Sequence, residues 1–196
     1  GSTVITCTNA NDALNKGNVI ILDDDTIVVP NLSTTIDWDG KDKIGGTNAI
    51  AVTRSLWASG SNSLFAWANA MYPTTEWGPV YTTPVGCDTI TATADMFEYS
   101  AFTITAAYDG TVIQTDPEGD GTWEANVTLN EGQTYFESTS SGGACSYVKQ
   151  GGQARSNDPA KPIQVVLVTG DIAGSPGYGS RDLNLVPDAQ LSSSYW

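Results

Sequence analysis

Lys161-Pro162-Ile163-Gln164-Val165-Val166-Leu167-Val168-Thr169-Gly170-Asp171 is the longest apolar run in the chain. It is rich in β-branched residues, opened by a proline and closed by Thr-Gly-Asp. β-Branched side chains suit a pleated surface and Gly and Pro punctuate its ends, so the pattern predicts a buried strand. Ala49-Ile50-Ala51-Val52-Thr53-Arg54 is a weaker echo and predicts a second strand of the same kind.

Outward from this run lie many short apolar stretches cut by Gly, Asn, Asp and Pro. Asn18–Leu22, Thr26–Val29, Leu64–Met71, Thr89–Ala94, Ala101–Tyr108, Thr111–Thr115, Trp123–Leu129, Thr134–Ser138 and Leu183–Val186 read as strands. Asp109-Gly110 and Asn130-Glu131-Gly132-Gln133 read as hairpin turns. Trp57–Ser63, Glu76–Tyr81 and Gly151–Ala160 read as loops, and no long amphipathic helix is visible. The expectation is an all-β, antiparallel β-sandwich forming one module over 1–196, within which sub-units 3–86 and 87–196 are open. The order strand, turn, core strand, Gly/Ser-rich loop recurs at an offset of about 110 residues, which reads as two related halves. Chance likeness among β-hairpins is the competing reading.

With 22 acidic against 8 basic residues the net charge is −14, and histidine is absent. Such a surface repels phosphate backbones, which argues against nucleic-acid binding. Without histidine there is no Ser-His-Asp or Cys-His pair and no imidazole-ligated metal site. No window reaches the ~18–20 apolar residues of a membrane span, so no membrane insertion is expected. Cys7, Cys87 and Cys145 have no CxxC spacing, which disfavours zinc or redox chemistry. Outside the cell, one disulfide and one leftover thiol fit the odd count; Cys87–Cys145 with Cys7 left over is the expectation, three buried free cysteines the alternative.

Asn18–Leu22, Trp38-Asp39-Gly40-Lys41-Asp42-Lys43-Ile44, Ala49–Arg54, Tyr72-Pro73-Thr74-Thr75-Glu76-Trp77-Gly78-Pro79-Val80-Tyr81-Thr82-Thr83-Pro84-Val85-Gly86, Val127–Tyr135 and Lys161–Val165 follow one another in order along the chain. Taken together, these segments resemble the IgGFc-binding-protein N-terminal-like domain family. The resemblance implies an extracellular β-sandwich module of large secreted or surface proteins, often adhesive or matrix-forming. It carries no antibody-binding residue across. Family members often have an aromatic and acidic stretch ahead of the region matching Asn18, whereas this chain starts close to that point.

Among candidate sites, Asp116-Pro117-Glu118-Gly119-Asp120-Gly121-Thr122-Trp123-Glu124 is the sharpest motif. Acidic oxygens at alternate positions, Gly at the sixth and an acid at the ninth resemble the first half of a calcium loop. Val127 at the twelfth removes the bidentate carboxylate of an EF-hand. If calcium binds, Asp116, Glu118, Asp120 and Glu124 are the expected ligands; an ordinary polar turn is the alternative. Asp23-Asp24-Asp25 reads as a solvated turn. Trp57 and Trp77, placed in loops, are the candidates for stacking on a sugar ring. Asn31-Leu32-Ser33 and Asn126-Val127-Thr128 fit the glycosylation pattern. Acidic residues are plentiful but no pair is singled out for glycoside cleavage.

The expected function is therefore non-catalytic: an extracellular or cell-surface adhesion or matrix module whose partner is a protein or glycan surface. A carbohydrate-binding module is one alternative. The other is a structural protein that self-associates through edge strands.

Overall fold

The computed structural model describes residues 3–8, 18–21, 43–57, 66–88, 99–137, 148–170 and 181–193. The chain divides into two compact units, Gly1–Ala51 and Val52–Trp196. In the first unit, strands β1 (Thr3–Thr8), β2 (Asn18–Ile21) and β3 (Lys43–Gly46) form an antiparallel sheet in the order β2-β1-β3. The expected strand at Asn18–Leu22 is present there; those at Thr26–Val29 and Thr89–Ala94 lie outside the described residues.

The second unit begins with a two-stranded ribbon, β4 (Thr53–Trp57) and β5 (Ala66–Ala70). Strands β6 (Val80–Thr82), β7 (Tyr99–Ala106), β8 (Thr111–Asp116), β9 (Ala125–Leu129), β10 (Thr134–Glu137), β11 (Gln153–Ser156), β12 (Ile163–Gly170) and β13 (Arg181–Asn184) follow. They make two four-stranded sheets, β10-β7-β12-β13 and β6-β11-β8-β9, antiparallel throughout. Phe102, Ile104, Ile163, Val165 and Leu167 of the first sheet share one buried cluster with Tyr81, Ile113, Leu129 and Ala154 of the second. This is the expected antiparallel β-sandwich.

The decisive run, Ile163–Gly170, is β12, an interior strand between β7 and β13. Ile163, Val165 and Leu167 are fully buried toward the opposite sheet, and Gln164 and Val166 are buried on the other face. Each such aliphatic side chain contributes roughly 1.5–3 kcal/mol by leaving water. The echo is different. Ile50 to Val52 are not in a strand, and Thr53 and Arg54 are exposed in the ribbon. The two segments are therefore not equivalent central strands, and the duplicated architecture is not borne out. Strand β6, before residue 86, pairs with β11, after it, so one sheet spans both 3–86 and 87–196.

The turns Asp109-Gly110 and Asn130–Gln133 are not hairpins. Each carries the chain from one sheet to the other, because β7 and β10 belong to one sheet and β8 and β9 to the other. The two crossings lie side by side: Asp109 Oδ1 accepts the Glu131 N–H at 3.0 Å, and Lys161 Nζ donates to the Asp109 and Gly110 carbonyls at 3.0 Å each. Gly110 sits at φ 64°, a left-handed conformation that costs glycine little. Residues 151–160, expected as a loop, contain β11 at the interior of its sheet. The segment 76–81 enters β6 from a single 3-10 turn at Thr74–Glu76.

Side chains close two sheet edges. Asp188 accepts the Thr82 N–H (2.8 Å) and hydroxyl (2.7 Å) beside β6. Asn69 Nδ2 donates to the Asp182 carbonyl at 2.6 Å, and Asn184 Nδ2 to the Ala70 carbonyl at 2.8 Å, which docks the ribbon on β13. Such caps protect edges from pairing with other chains.

Candidate functional site

The loop joining β8 to β9 carries the acidic motif. Asp116 ends β8 with 1% of its surface exposed. Its Oδ1 accepts the Gly119 N–H (2.8 Å) and the Asp120 N–H (3.2 Å), and its Oδ2 accepts the Gly121 N–H (2.7 Å). A short Asp side chain reaching its own following backbone is the usual way such a turn closes. Gly119 is required by conformation and by space: φ is 68°, and a Cβ would stand 2.7 Å from the Gly151 carbonyl oxygen. Lys149 N–H donates to the Pro117 carbonyl at 2.8 Å, so the loop is sewn to the segment that leads into β11.

Three of the four expected metal ligands converge. One oxygen from each of Asp116, Asp120 and Glu124 lies within 4.8 Å of the others, so the cluster could hold a metal ion. Glu118 turns aside and pairs with Lys149 Nζ at 3.1 Å. It is thus held by a cation of the protein, not directed into the carboxylate group. The Asp120 carboxyl is held below its ordinary range by the Thr122 N–H it accepts at 2.8 Å and by the Thr122 hydroxyl. Partial loss of water pushes the Glu124 carboxyl up, and repulsion from Asp116, Asp120 and Glu118 adds to this.

The aromatic candidates separate. Trp57 is not in a loop, since its backbone closes β4. Trp77 follows the 3-10 turn, is half-buried, and donates its indole N–H to the Tyr72 carbonyl at 3.0 Å. The polar edge that a sugar would use is already engaged. Cys87 is buried and its N–H donates to the Val148 carbonyl at 3.0 Å; Cys145 lies outside the described residues. Asn126 of the glycosylation pattern is exposed on β9, while Asn31 lies outside the described residues.

A second cluster on this sheet was not legible as a site. Trp123, in the acidic loop, stacks on Arg155 of β11, whose Cζ stands 3.7 Å from the ring centroid. Arg155 Nε donates to Gln114 Oε1 of β8 at 2.9 Å. Trp123 and Arg155 are 32 positions apart by number and meet only because β11 pairs with β8. A lone Arg in a Gln-Ala-Arg-Ser tetrapeptide gives no signal of this.

The described residues contain no helix long and apolar enough to cross a membrane. The second unit is an antiparallel β-sandwich with its polar clusters on the loops and outer face of one sheet. The family model described as IgGFc binding protein matches residues 13–196, so the chain belongs to the IgGFc-binding family. No curated protein sequence and no solved structure matches it.

Proposed function

We propose that this chain is a non-catalytic extracellular module that holds a protein or glycan partner at a surface. The observation that carries this reading is the family match over residues 13–196. The description "IgGFc binding protein" speaks of a protein that binds IgGFc; what it lends to this chain is binding of a protein partner outside the cell. The net charge of −14 and the lack of histidine support a solvated binding surface over imidazole-based catalysis. A disulfide between Cys87 and Cys145 belongs to the same extracellular reading. What supports it is that the Cys87 N–H donates to the Val148 carbonyl, and Val148 stands three residues past Cys145.

Calcium at Asp116, Asp120 and Glu124 completes the proposal. Calcium takes 6–8 oxygens, so three carboxylates leave backbone carbonyls and water to fill the shell. Its role would be to relieve the repulsion among these acids and stiffen the β8–β9 loop.

The test is retention on surfaces. Plates coated with the 196-residue chain are challenged with beads carrying single extracellular matrix proteins or single glycans. Saturable retention of at least one bead type is expected. A panel with no retention above that of heat-unfolded chain would sink the reading.

A further inference from the structure

We propose that the outer face of the β6-β11-β8-β9 sheet binds a carboxylate-bearing sugar, with Arg155 gripping the carboxylate and Trp123, Gln114, Gln153 and Asn126 reading the ring. The registry builds the site. Arg155 stands opposite Gln114, and Gln114 opposite Asn126. Their inward neighbours Ala154, Ile113 and Leu129 are buried in the core, so alternation puts these three in a row on the outer face. Strands lie about 4.8 Å apart, so the row spans roughly 10 Å, and Gln153 stands two residues further along β11, roughly 7 Å away. That area matches one sugar ring with its substituents.

Several donors on this face have no acceptor among the described residues. Arg155 is half-buried and its plane is set twice, by the Trp123 ring at 3.7 Å and by Gln114 Oε1 at 2.9 Å on Nε. Among the described residues neither Nη group makes a hydrogen bond or ion pair. In a chain with 22 acidic residues, most other described cations are engaged: Arg54 with Asp182, Lys149 with Glu118, Lys161 with two carbonyls. Arg181 is exposed at the start of β13. The Trp123 indole N–H, the Gln114 amide nitrogen and the side-chain amides of Gln153 and Asn126 also have no partner among the described residues.

This chemistry selects the ligand. With Nε taken and the plane fixed, the two Nη groups present an end-on fork, the geometry that matches a carboxylate with two parallel hydrogen bonds. Arg held in advance loses less freedom on binding. The amides of Gln153 and Asn126 offer both donors and acceptors, which hydroxyl groups require. An indole edge beside them suits the mixed apolar and polar rim of a pyranose. The net charge of −14 repels polyanions at long range, so a ligand here must be held by the short-range fork. The site names a glycan partner within the surface-binding reading above, but stands on its own geometry.

The test uses the ¹⁵N-labelled 196-residue chain. It is titrated separately with the α-methyl glycoside of N-acetylneuraminic acid, methyl β-glucuronide, methyl β-glucoside and a blocked Gly-Glu-Gly peptide. The Trp123 Nε1–H and Arg155 Nε–H resonances should move saturably with at least one acidic sugar and stay put with the glucoside and the peptide. Arg155→Lys, which keeps charge but loses the fork, should weaken acidic-sugar binding about tenfold or more while the remaining amide spectrum is retained. No movement with either acidic sugar overturns the proposal. So does equal movement with the glucoside, since the carboxylate would then not be read. Equal movement with the peptide would make this a protein-carboxylate site and also overturns it. Unchanged affinity in a folded Arg155→Lys chain does the same. If that variant does not fold, the wild-type resonances decide alone. Retention of a protein-coated bead alongside failure here would remove the sugar site and leave the adhesive reading standing.

Discussion

The Tyr81 hydroxyl donates to the Ile163 carbonyl at 2.6 Å and accepts the Gly78 N–H at 2.9 Å. Tyr81 belongs to one sheet and Ile163 to the interior strand of the other, so this phenol ties the two layers where the core begins. Burial pushes its pKa up to about 12 against the ordinary 10.0. Tyr81→Phe leaves a buried N–H and a carbonyl without their partner, a loss of about 1–3 kcal/mol. Denaturant midpoints at neutral pH should show it. A folded pKa above the unfolded one gives stability that is full below 10.0 and lost as pH rises toward about 12. The wild type should lose that increment over the window, and Tyr81→Phe should not.

Asp116 is the closure of the acidic loop, and its carboxylate holds three backbone N–H groups. Asp116→Ala should cost about 1–3 kcal/mol, because those donors turn inward without an acceptor. Asp116→Asn keeps one acceptor oxygen and should cost less. Thermal melts of the two variants rank the effects. Equal melting temperatures for wild type and Asp116→Ala would show that the loop does not contribute to the stability of the sandwich.

Asp182 joins the ribbon to β13. Its carboxyl is pushed up by burial, and Arg54 at 3.3 Å only partly offsets this. A raised carboxyl contributes stability below its unfolded pKa and loses it as pH rises through the folded one. Asp182→Asn keeps the backbone carbonyl that accepts Asn69 and removes the buried charge. It should therefore match or exceed wild-type stability at neutral pH, with a flatter profile above the ordinary carboxylate range. A large loss at neutral pH would mean that the Arg54 pair outweighs burial.

Calcium makes a further expected outcome. A ligand at a hundredfold excess over its Kd stabilises the fold by about 2.7 kcal/mol. Calcium should raise the melting temperature of the wild type and leave the Asp120→Asn, Glu124→Gln double variant unmoved. Without calcium, Glu124→Gln alone should be no less stable than wild type, because Glu124 is repelled by its acidic neighbours. No shift in the wild type would remove the metal from this account.

The fold was legible where burial is written in apolar residues. Ile163–Gly170 reads as a core strand because both its faces are buried. Gln153–Ser156 does not, because its core-facing residues are Ala154 and Ser156, small side chains with no hydrophobic signal. Turn chemistry located Asp109-Gly110 and Asn130–Gln133, but a turn sequence cannot say whether the next strand stays in its sheet or crosses to the other. In the acidic motif the spacing pointed to four carboxylates and three of them meet; that Glu118 would find Lys149 instead depended on a residue 31 positions away. The Trp123–Arg155 stack depended on strand pairing and could not be seen at all.

The central claim, that this chain holds a partner without altering it, is tested most directly by immobilising it and passing over a protein or glycan retained in the bead panel. The account predicts reversible, saturable binding, with the eluted partner recovered at unchanged mass after prolonged contact. Failure to saturate, or recovery of a cleaved or modified partner, would contradict it.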